Sequence, residues 1–399
     1  MTATNTTSSY GTVTKTFHWL TALLILTAIG LGAVANRLPY DTNDQLAFKA
    51  QLFSYHKTLG VIIFGVALAR ILWTFTQPKP GPLHAERKIE TQLAELVHWL
   101  LYISLVAIPL TGWIHHAATT GFAPIMLPIG QDLPLIPKSE SISGLFAGLH
   151  WVWSKILIGA ILLHIAGALK HHIIDKDATL RRMWFGRAPT PTAADHAGHW
   201  VAPIAAIGIY TATAGIGAAT GLFSHDTGTQ AVALENVSSD WQVTEGEIAI
   251  TATQFGSPVS GSFEDWTAAI SFDPDAGEIL GDVTTTIAIG SLQLGSVTDQ
   301  AMGADFFNAA DFPTAVFQAN ITADQSAYQA VGTLTIKDVS VPVTLPFSLN
   351  IADDSAEMTG RLTLDRRDFQ IGQSMPNETN LAFDVTVDIT LTATQAVQQ

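Results

Sequence analysis

The feature that most constrains this chain is a series of five apolar stretches in its first 225 residues. A helix that spans a bilayer needs about 20 mostly apolar residues. Two of the stretches contain no Asp, Glu, Lys or Arg, and the other three contain at most two each. We therefore predict five transmembrane helices, at residues 16–36, 53–76, 94–115, 146–170 and 200–224.

The charge of the chain divides where these stretches end. Residues 1–225 carry 15 Lys and Arg, 10 Asp and Glu and all 13 histidines. Residues 226–399 carry 4 Lys and Arg and 24 Asp and Glu. The net charges are therefore +5 and −20. We predict a membrane bundle at 1–187, a linker with a fifth transmembrane helix at 188–225, and a separate domain at 226–399. The charge of the acidic half argues against nucleic-acid binding, because phosphates need positive charge.

Lysines and arginines of the short loops predict the orientation of the helices. Nine lie at the N-terminus, between the second and third helices, or after the fourth, and three lie on the opposite side. This count places the N-terminus inside the cell and residues 226–399 outside. The alternative is a signal peptide cleaved after Ala33-Val34-Ala35, although the preceding apolar run is long for one.

An ionisable residue inside a membrane helix indicates function by default, and four histidines of the predicted helices stand out. His150 and His164 are fourteen residues apart, so they share one helix face about 21 Å apart. The orientation places His18 at the depth of His164, and His56 at the depth of His150. Two such pairs predict two stacked haems with bis-histidine ligation, which favours electron transfer over oxygen binding. The chain has no cysteine, so the haem would be non-covalent b-type haem.

Other polar residues in this half have open alternatives. Arg70 lies fourteen residues after His56 and could pair with a haem propionate or extend to the membrane interface. Lys57 and Lys155 are interface lysines, with a propionate contact as the alternative. His98 has no partner at its predicted depth, and we leave open a quinone site or a structural role. The remaining histidines are expected to be solvated or show no pattern: His115, His116, His171, His172, His84, His196, His199 and His225.

Several motifs in this half resemble the bacterial cytochrome b561 family. They are Phe17-His18-Trp19-Leu20, His56-Lys57-Thr58-Leu59-Gly60 with Arg70, His98-Trp99-Leu100-Leu101-Tyr102, Pro109-Leu110-Thr111-Gly112-Trp113, His150, His164, His171-His172 and Leu180-Arg181-Arg182-Met183. The resemblance covers residues 10–188. It implies an inner-membrane four-helix protein with two b haems that exchanges electrons with the quinone pool. Some members are superoxide:ubiquinone oxidoreductases, and the long apolar loop 116–144 leaves the outer donor open.

The second half has the alternating pattern of half-buried antiparallel strands. Residues 247–253, 332–336 and 384–391 alternate apolar side chains with polar ones, and a turn sequence lies at 273–277. About eight strands in this length predict an up-and-down barrel or a sandwich. This half has no histidine or cysteine, which excludes catalysis by either residue.

Motifs in this half resemble the YceI family of lipocalin-like barrels over about residues 235–395. They are Ser260-Gly261-Ser262-Phe263, Ile270-Ser271-Phe272-Asp273-Pro274, Ala304-Asp305-Phe306-Phe307-Asn308, Gly332-Thr333-Leu334-Thr335-Ile336 and Arg367-Asp368-Phe369-Gln370-Ile371-Gly372. The resemblance implies a periplasmic barrel that binds a polyisoprenoid chain, although Asp338 replaces a usual glycine. The phenylalanines that would line the cavity, or else pack as ordinary core, are Phe263, Phe272, Phe307, Phe312, Phe317, Phe347 and Phe369.

The two halves together predict a multidomain protein, an all-α transmembrane bundle followed by an all-β lipocalin-like antiparallel barrel. Our first hypothesis is a membrane di-haem cytochrome whose barrel binds the tail of ubiquinone or another isoprenoid lipid. The alternative is a membrane-anchored isoprenoid-binding or stress-response protein in which haem is structural or sensory. A transporter is poorly supported, because no acidic residue lies mid-helix, and a homodimer is left open.

Overall fold

The computed structural model of this chain describes residues 2–40, 42–84, 86–185, 200–223, 231–235, 237–324 and 327–396. The predicted linker between 188 and 199, with His196 and His199, lies outside these residues, as does His225. The chain divides into two compact units. One comprises Met1–Leu38, Gln51–Ala118 and Ile125–His225, and the other Pro39–Ala50, Thr119–Pro124 and Asp226–Gln399.

The N-terminal half is helical. In the part of the chain that the structure describes, five helices are long and apolar enough to cross a membrane, which confirms the five predicted spans. They are α1 (Thr12–Arg37), α2 (Asn43–Phe75), α3 (Lys88–Ala117), α4 (Glu140–Ile173) and α6 (Val201–Ala219), with the short α5 (Thr179–Met183) before the last. The first four extend beyond the apolar stretches into polar residues, because polar turns are stable in water at a membrane surface.

The outer faces of these helices are apolar. Leu23 and Leu26 on α1 are 65% and 53% exposed, and Leu162 on α4 is 63% exposed. The buried positions of α1 include Thr21, Ala28 and Ala35, which recur every seven residues. Small residues in such a seam let helices approach closely in a membrane. The large apolar side chains therefore face lipid, and the chain is an integral membrane protein.

The last membrane helix packs against α3 and α4. A buried cluster joins Leu100 of α3, Ala160 of α4, and Ala206 and Tyr210 of α6. The Tyr210 hydroxyl lies 2.5 Å from the Ser104 hydroxyl and donates to the Leu100 carbonyl at 3.1 Å. The fifth span is therefore part of the helical bundle rather than a detached anchor.

The second unit contains an antiparallel sheet. Among the described residues it has ten strands, against about eight predicted, in the order β3-β4-β6-β7-β8-β9-β10-β1-β2-β5. The strands are β1 (Trp241–Gln254), β2 (Ser257–Phe263), β3 (Trp266–Phe272), β4 (Gly281–Ala288), β5 (Leu292–Gln293), β6 (Thr314–Asp324), β7 (Ala327–Ile336), β8 (Val339–Ala352), β9 (Ser355–Asp365) and β10 (Leu381–Gln395). The three alternating segments lie in β1, β7 and β10, as predicted.

The sheet curls around an apolar interior. Ile248 and Ile250 of β1 point to the same face, since side chains alternate along a strand. They pack in one buried cluster with Val259 and Phe263 of β2. Neighbouring longer strands pair antiparallel, such as Ile248 opposite Ile389 of β10, and the β1–β10 register shifts between Val243 and Glu245 and between Ala252 and Gln254. This arrangement is the predicted lipocalin-like all-β fold.

A two-residue turn explains the glycine expected at position 338. Lys337 and Asp338 join β7 to β8, and their φ angles are +52° and +58°. Tight hairpins favour turns with two positive φ values, for which glycine is the least strained residue. The aspartate at position 338 adopts this conformation, so the hairpin forms without the usual glycine.

Candidate functional site

The structure brings together both predicted histidine pairs. The ring centroids of His18 on α1 and His164 on α4 lie 6.0 Å apart. Those of His56 on α2 and His150 on α4 lie 6.2 Å apart. Two imidazoles that ligate one metal ion through bonds of about 2 Å place their centroids about 6 Å apart. The spacing of each pair therefore fits two axial ligands of one haem iron.

Backbone carbonyls orient the rings of the second pair. The Nδ1 atom of His56 lies 2.9 Å from the Ala28 carbonyl, and that of His150 lies 2.9 Å from the Ile108 carbonyl. A ring N–H that donates to a carbonyl fixes the tautomer and leaves Nε2 as the metal ligand. These two histidines are thus prepared for ligation through Nε2.

Two glycines make room for the same rings. A Cβ atom on Gly32 would lie 2.8 Å from Cε1 of His56, and one on Gly112 would lie 3.1 Å from the His150 ring. Gly32 is on α1 and Gly112 is on α3, so each imidazole rests directly against a neighbouring helix backbone. A Cβ at position 32 would force the His56 ring to shift, and one at position 112 would press on the His150 ring.

The basic residues predicted near haem propionates occupy different surroundings. Lys57 is buried beside His56, with 7% of the residue exposed. Arg70 is half-buried, and its guanidinium lies 5.7 Å from the centre of the Tyr102 ring. Lys155 is exposed, and its ammonium lies 4.9 Å from the Trp151 ring, which fits an interface lysine.

His98 has a partner that the sequence did not reveal. Its ring centroid lies 5.1 Å from that of His164, and its Nδ1 lies 2.6 Å from the Ala94 carbonyl. The expectation that His98 has no partner at its depth was therefore wrong. Sequence distance along α3 did not show it, because the contact depends on how α3 rotates against α4.

The helix-end histidines are not uniformly solvated. His172 is exposed, as expected. His115 is half-buried, with Nδ1 2.9 Å from the Ser143 hydroxyl oxygen, and His171 is half-buried among carboxylates. His84, which showed no sequence pattern, stacks on His171. These contacts join residues far apart in sequence, so local patterns could not indicate them.

Arg182 fastens one end of the bundle, a role the sequence did not predict. It is buried, and its guanidinium donates to the carbonyls of Gly81 at 3.0 Å and Ser8 at 3.1 Å. Lys15 and Trp19 of α1 donate to the carbonyls of Trp184 and Met183, each at 2.9 Å. The segment around α5 therefore ties the start of α1 to the α2–α3 connection.

The curled sheet encloses two adjoining apolar cavities of about 160 Å³ each. The first is lined by Trp241, Trp266 and aliphatic side chains, and Thr285 is its one hydroxyl among the described residues. The second also has Gln254, Gln300 and Arg366 in its wall. The predicted phenylalanines in these walls are Phe272, Phe317, Phe347, Phe263, Phe307 and Phe369. Phe312 is not in either described wall.

Comparison with known proteins identifies the two halves. Residues 9–186 match the family model described as prokaryotic cytochrome b561. Cytochrome b561 homolog 2 of Escherichia coli (strain K12) is 34% identical over 186 residues, which are 46% of this chain and 95% of that protein. The chain belongs to the prokaryotic cytochrome b561 family. A more distant cytochrome b561 relative is the probable superoxide oxidase CybB of Yersinia pestis, 25% identical over 42% of this chain and 90% of that protein.

The other half of this cytochrome b561 protein is a YceI-like domain, matched over residues 217–393. BcnA of Burkholderia cenocepacia is 29% identical, with a TM-score of 0.37 over 39% of this chain and 100% of that chain. The Campylobacter jejuni YCEI protein is 21% identical, with a TM-score of 0.30 over 44% of this chain and 98% of that chain. Membership of the cytochrome b561 family implies that the protein binds haem b.

Proposed function

We propose that this protein is a membrane electron-transfer protein with two b haems, an inner one held by His18 and His164 and an outer one by His56 and His150. The observation that supports this most directly is the pair of centroid separations, 6.0 and 6.2 Å. When bound, haem supplies a one-electron redox centre at each level. Bis-histidine ligation leaves no axial position for oxygen, so electron transfer is favoured.

The protein's own residues orient the ligands and supply charge near them. The Ala28 and Ile108 carbonyls hold two imidazole rings, and Gly32 and Gly112 admit them against the backbone. Lys57 and Arg70 are the cations that we assign to haem propionates, because each lies on the helix that carries His56. Lys155, which is exposed, remains an interface lysine.

The electrons pass between the quinone pool and a donor or acceptor on the periplasmic side. The probable superoxide oxidase among its relatives suggests superoxide as that donor. In that reaction two superoxide ions are oxidised to two molecules of oxygen, and one ubiquinone takes up the two electrons and two protons to become ubiquinol. We place the protein in the inner membrane, with its N-terminus in the cytoplasm and its YceI-like domain in the periplasm.

The YceI-like domain binds an isoprenoid chain in this proposal. Its first cavity is lined almost wholly by carbon, which suits a prenyl tail. The aromatic walls at Phe272, Phe317 and Phe347 provide apolar contact area without hydrogen-bonding demands. Joined to a quinone-type cytochrome, such a domain fits the tail of ubiquinone or a related isoprenoid lipid.

The haem assignment is tested by reduced-minus-oxidised spectra of the purified protein, with haem counted per chain. The wild type is expected to hold two b haems, and His18→Ala, His164→Ala, His56→Ala and His150→Ala about one each. Exposed His172→Ala is the matched control and should retain two. A wild type with one haem that none of the four substitutions removes would overturn the pairing.

Electron transfer to quinone is tested by stopped-flow mixing of the holoprotein with ubiquinol, ubiquinone or superoxide. Rapid haem reduction or reoxidation by at least one of them is expected. If none of the three changes the redox state of the haem, the second function is favoured, an anchored lipid-binding protein with structural or sensory haem. The apolar cavity is the observation that supports this second function.

Lipid binding is tested by solvent extraction of the purified full chain, followed by mass spectrometry. Ala330 is 2% exposed and lines the first cavity, whereas its neighbour Val331 is 45% exposed. Ala330→Phe should fill the cavity and lower the co-purified prenyl lipid, and Val331→Phe should not. Equal lipid in both variants, or no prenyl lipid in the wild type, contradicts this part of the proposal.

A further inference from the structure

A second group of metal-ligating side chains lies apart from the four paired histidines. His84 comes from the segment between α2 and α3, His171 from the last turn of α4, and Asp177 from the segment before α5. Nε2 of His84 lies 3.0 Å from Oδ2 of Asp177, and Nδ1 of His171 lies 2.7 Å from the same oxygen. The two imidazoles are stacked, with planes 7° apart and centroids 6.1 Å apart.

The outward nitrogen of each ring faces a second carboxylate. Nδ1 of His84 lies 3.3 Å from Oε1 of Glu86, and Nε2 of His171 lies 3.5 Å from Oε1 of Glu90. Metal-ligating histidines almost always donate their other ring N–H to a carboxylate, carbonyl or water. The inner nitrogens lie at hydrogen-bond distance from Asp177, and Nδ1 of His171 also lies 3.1 Å from Oδ2 of Asp175. A metal ion would displace the protons from these inner nitrogens and leave each outer nitrogen to donate to its carboxylate.

Asp177 is fixed as an ionised ligand. Its Oδ1 accepts the backbone N–H of Thr179 at 2.8 Å, which leaves Oδ2 to face the two rings. Burial raises the pKa of Asp177, but hydrogen bonds from Thr179 and His171 outweigh it and lower the pKa to about 2. The carboxylate is therefore ionised at neutral pH, and the Thr179 hydrogen bond holds it with one oxygen towards both rings.

The neighbouring Asp175 has a different role. Its Oδ1 lies 3.1 Å from Nη1 of Arg87, and its Oδ2 lies 2.9 Å from Nζ of Lys170. The close ion pair with Lys170, and then the one with Arg87, lower the pKa of Asp175 and hold it as a carboxylate. We therefore count Asp175 among the surroundings of His171 and not among the ligands.

We propose that His84, His171 and Asp177 form a binding site for a divalent transition-metal ion of the zinc class, with water completing the coordination. The three ligand atoms lie within 4.8 Å of one another. Tetrahedral zinc with bonds of about 2.0–2.2 Å separates its ligand atoms by about 3.4 Å, so a small opening of the present contacts admits the ion. Two imidazoles and one carboxylate favour zinc over calcium or magnesium, which prefer oxygen ligands.

Such an ion would cross-link two connections of the bundle. His84 belongs to the α2–α3 connection, whereas His171 and Asp177 lie at the end of α4 and beyond it. His171 is seven residues after His164, so the site lies about 10 Å along α4 from that histidine. The site does not depend on the proposed haem ligation, since it shares no residue with it.

The test is zinc binding by the full-length holoprotein, purified with a tag that contains no histidine. Zinc and iron are counted per chain by mass spectrometry after desalting, and zinc affinity is measured against a fluorescent chelator. We expect one zinc per wild-type chain and an affinity at least tenfold weaker in His84→Ala, His171→Ala and Asp177→Asn. His172→Ala, the exposed neighbour, should bind as the wild type does.

Iron content and the haem spectrum show that each variant is folded, so a loss of zinc can be assigned to the site. Zinc affinity should also fall as the pH falls, because protons compete for the ring nitrogens. A wild type that binds no zinc overturns the proposal. So does equal zinc binding by the wild type, the three site variants and His172→Ala, which would mark the ion as adventitious.

Discussion

At the scale of single residues, the position of an imidazole ring depends on the glycine beside it, which has no Cβ atom to displace the ring. The His56 ring lies where a Cβ atom of residue 32 would approach it to 2.8 Å. The same ring is tied by Nδ1 to the Ala28 carbonyl, so it cannot turn away without losing that hydrogen bond. Glycine at position 32 is therefore a specific requirement of this ring position.

Gly32→Val should displace the His56 ring and reduce haem from two per chain to about one. Gly30→Val is the matched control, because no atom lies within 4 Å of a Cβ at that position on the same helix. Haem content and the reduced-minus-oxidised spectrum measure both. Full haem content in Gly32→Val, with an unshifted spectrum, would show that the contact is not restrictive.

At the scale of elements, one buried arginine joins the end of β9 to the start of β10 and to the loop before it. The Arg366 guanidinium donates to the carbonyls of Ala382, Ile371, Gly372, Met375 and Leu381 at 2.6–3.3 Å. Burial lowers the pKa of Arg366. All five hydrogen-bond acceptors are neutral backbone carbonyls. The guanidinium therefore serves as a hub that donates to five backbone oxygens at once.

Arg366→Met should remove these hydrogen bonds and destabilise the region around residue 366. Leaving buried carbonyls without a donor costs about 2 kcal/mol or more, which corresponds to about 30-fold faster amide exchange. Hydrogen exchange with mass spectrometry on the full chain, in peptides covering residues 355–395, measures it. Arg361→Met is the control: that side chain is 73% exposed and pairs with Asp388, and such surface pairs contribute under about 1 kcal/mol. Similar exchange in both variants would contradict the hub role.

At the scale of the whole molecule, the chain joins a membrane bundle of net charge +5 to an acidic domain of net charge −20. The short basic loops predict an inside N-terminus for the bundle. With five spans among the described residues, an odd number, we predict that the residues after α6 lie on the side opposite the N-terminus. High negative charge keeps the second domain soluble without specifying a partner.

This orientation is testable because the chain contains no cysteine. Single Lys88→Cys and Glu245→Cys variants place a thiol at exposed positions in the first and second halves. A membrane-impermeant maleimide added to spheroplasts should label residue 245 and leave residue 88 unlabelled until the membrane is permeabilised. Labelling of residue 88 alone in intact spheroplasts would reverse the predicted orientation.

The sequence by itself determined the five spans, the strand segments and the membership of both histidine pairs. Length and apolarity decide a membrane helix, alternation decides a strand, and a fourteen-residue spacing repeats one helix face. These are local properties, readable from neighbours along the chain. The comparisons with known families agree with the predicted fold of both halves.

Only the tertiary structure decided which distant side chains meet. The contact of His98 with His164, the hub at Arg366, and the cluster of His84, His171 and Asp177 each join separate elements. Their positions depend on helix rotation and on loop paths, for which the sequence carries no periodic signal. Packing sets these quantities because it is a property of several elements at once, whereas helix and strand patterns belong to one element each.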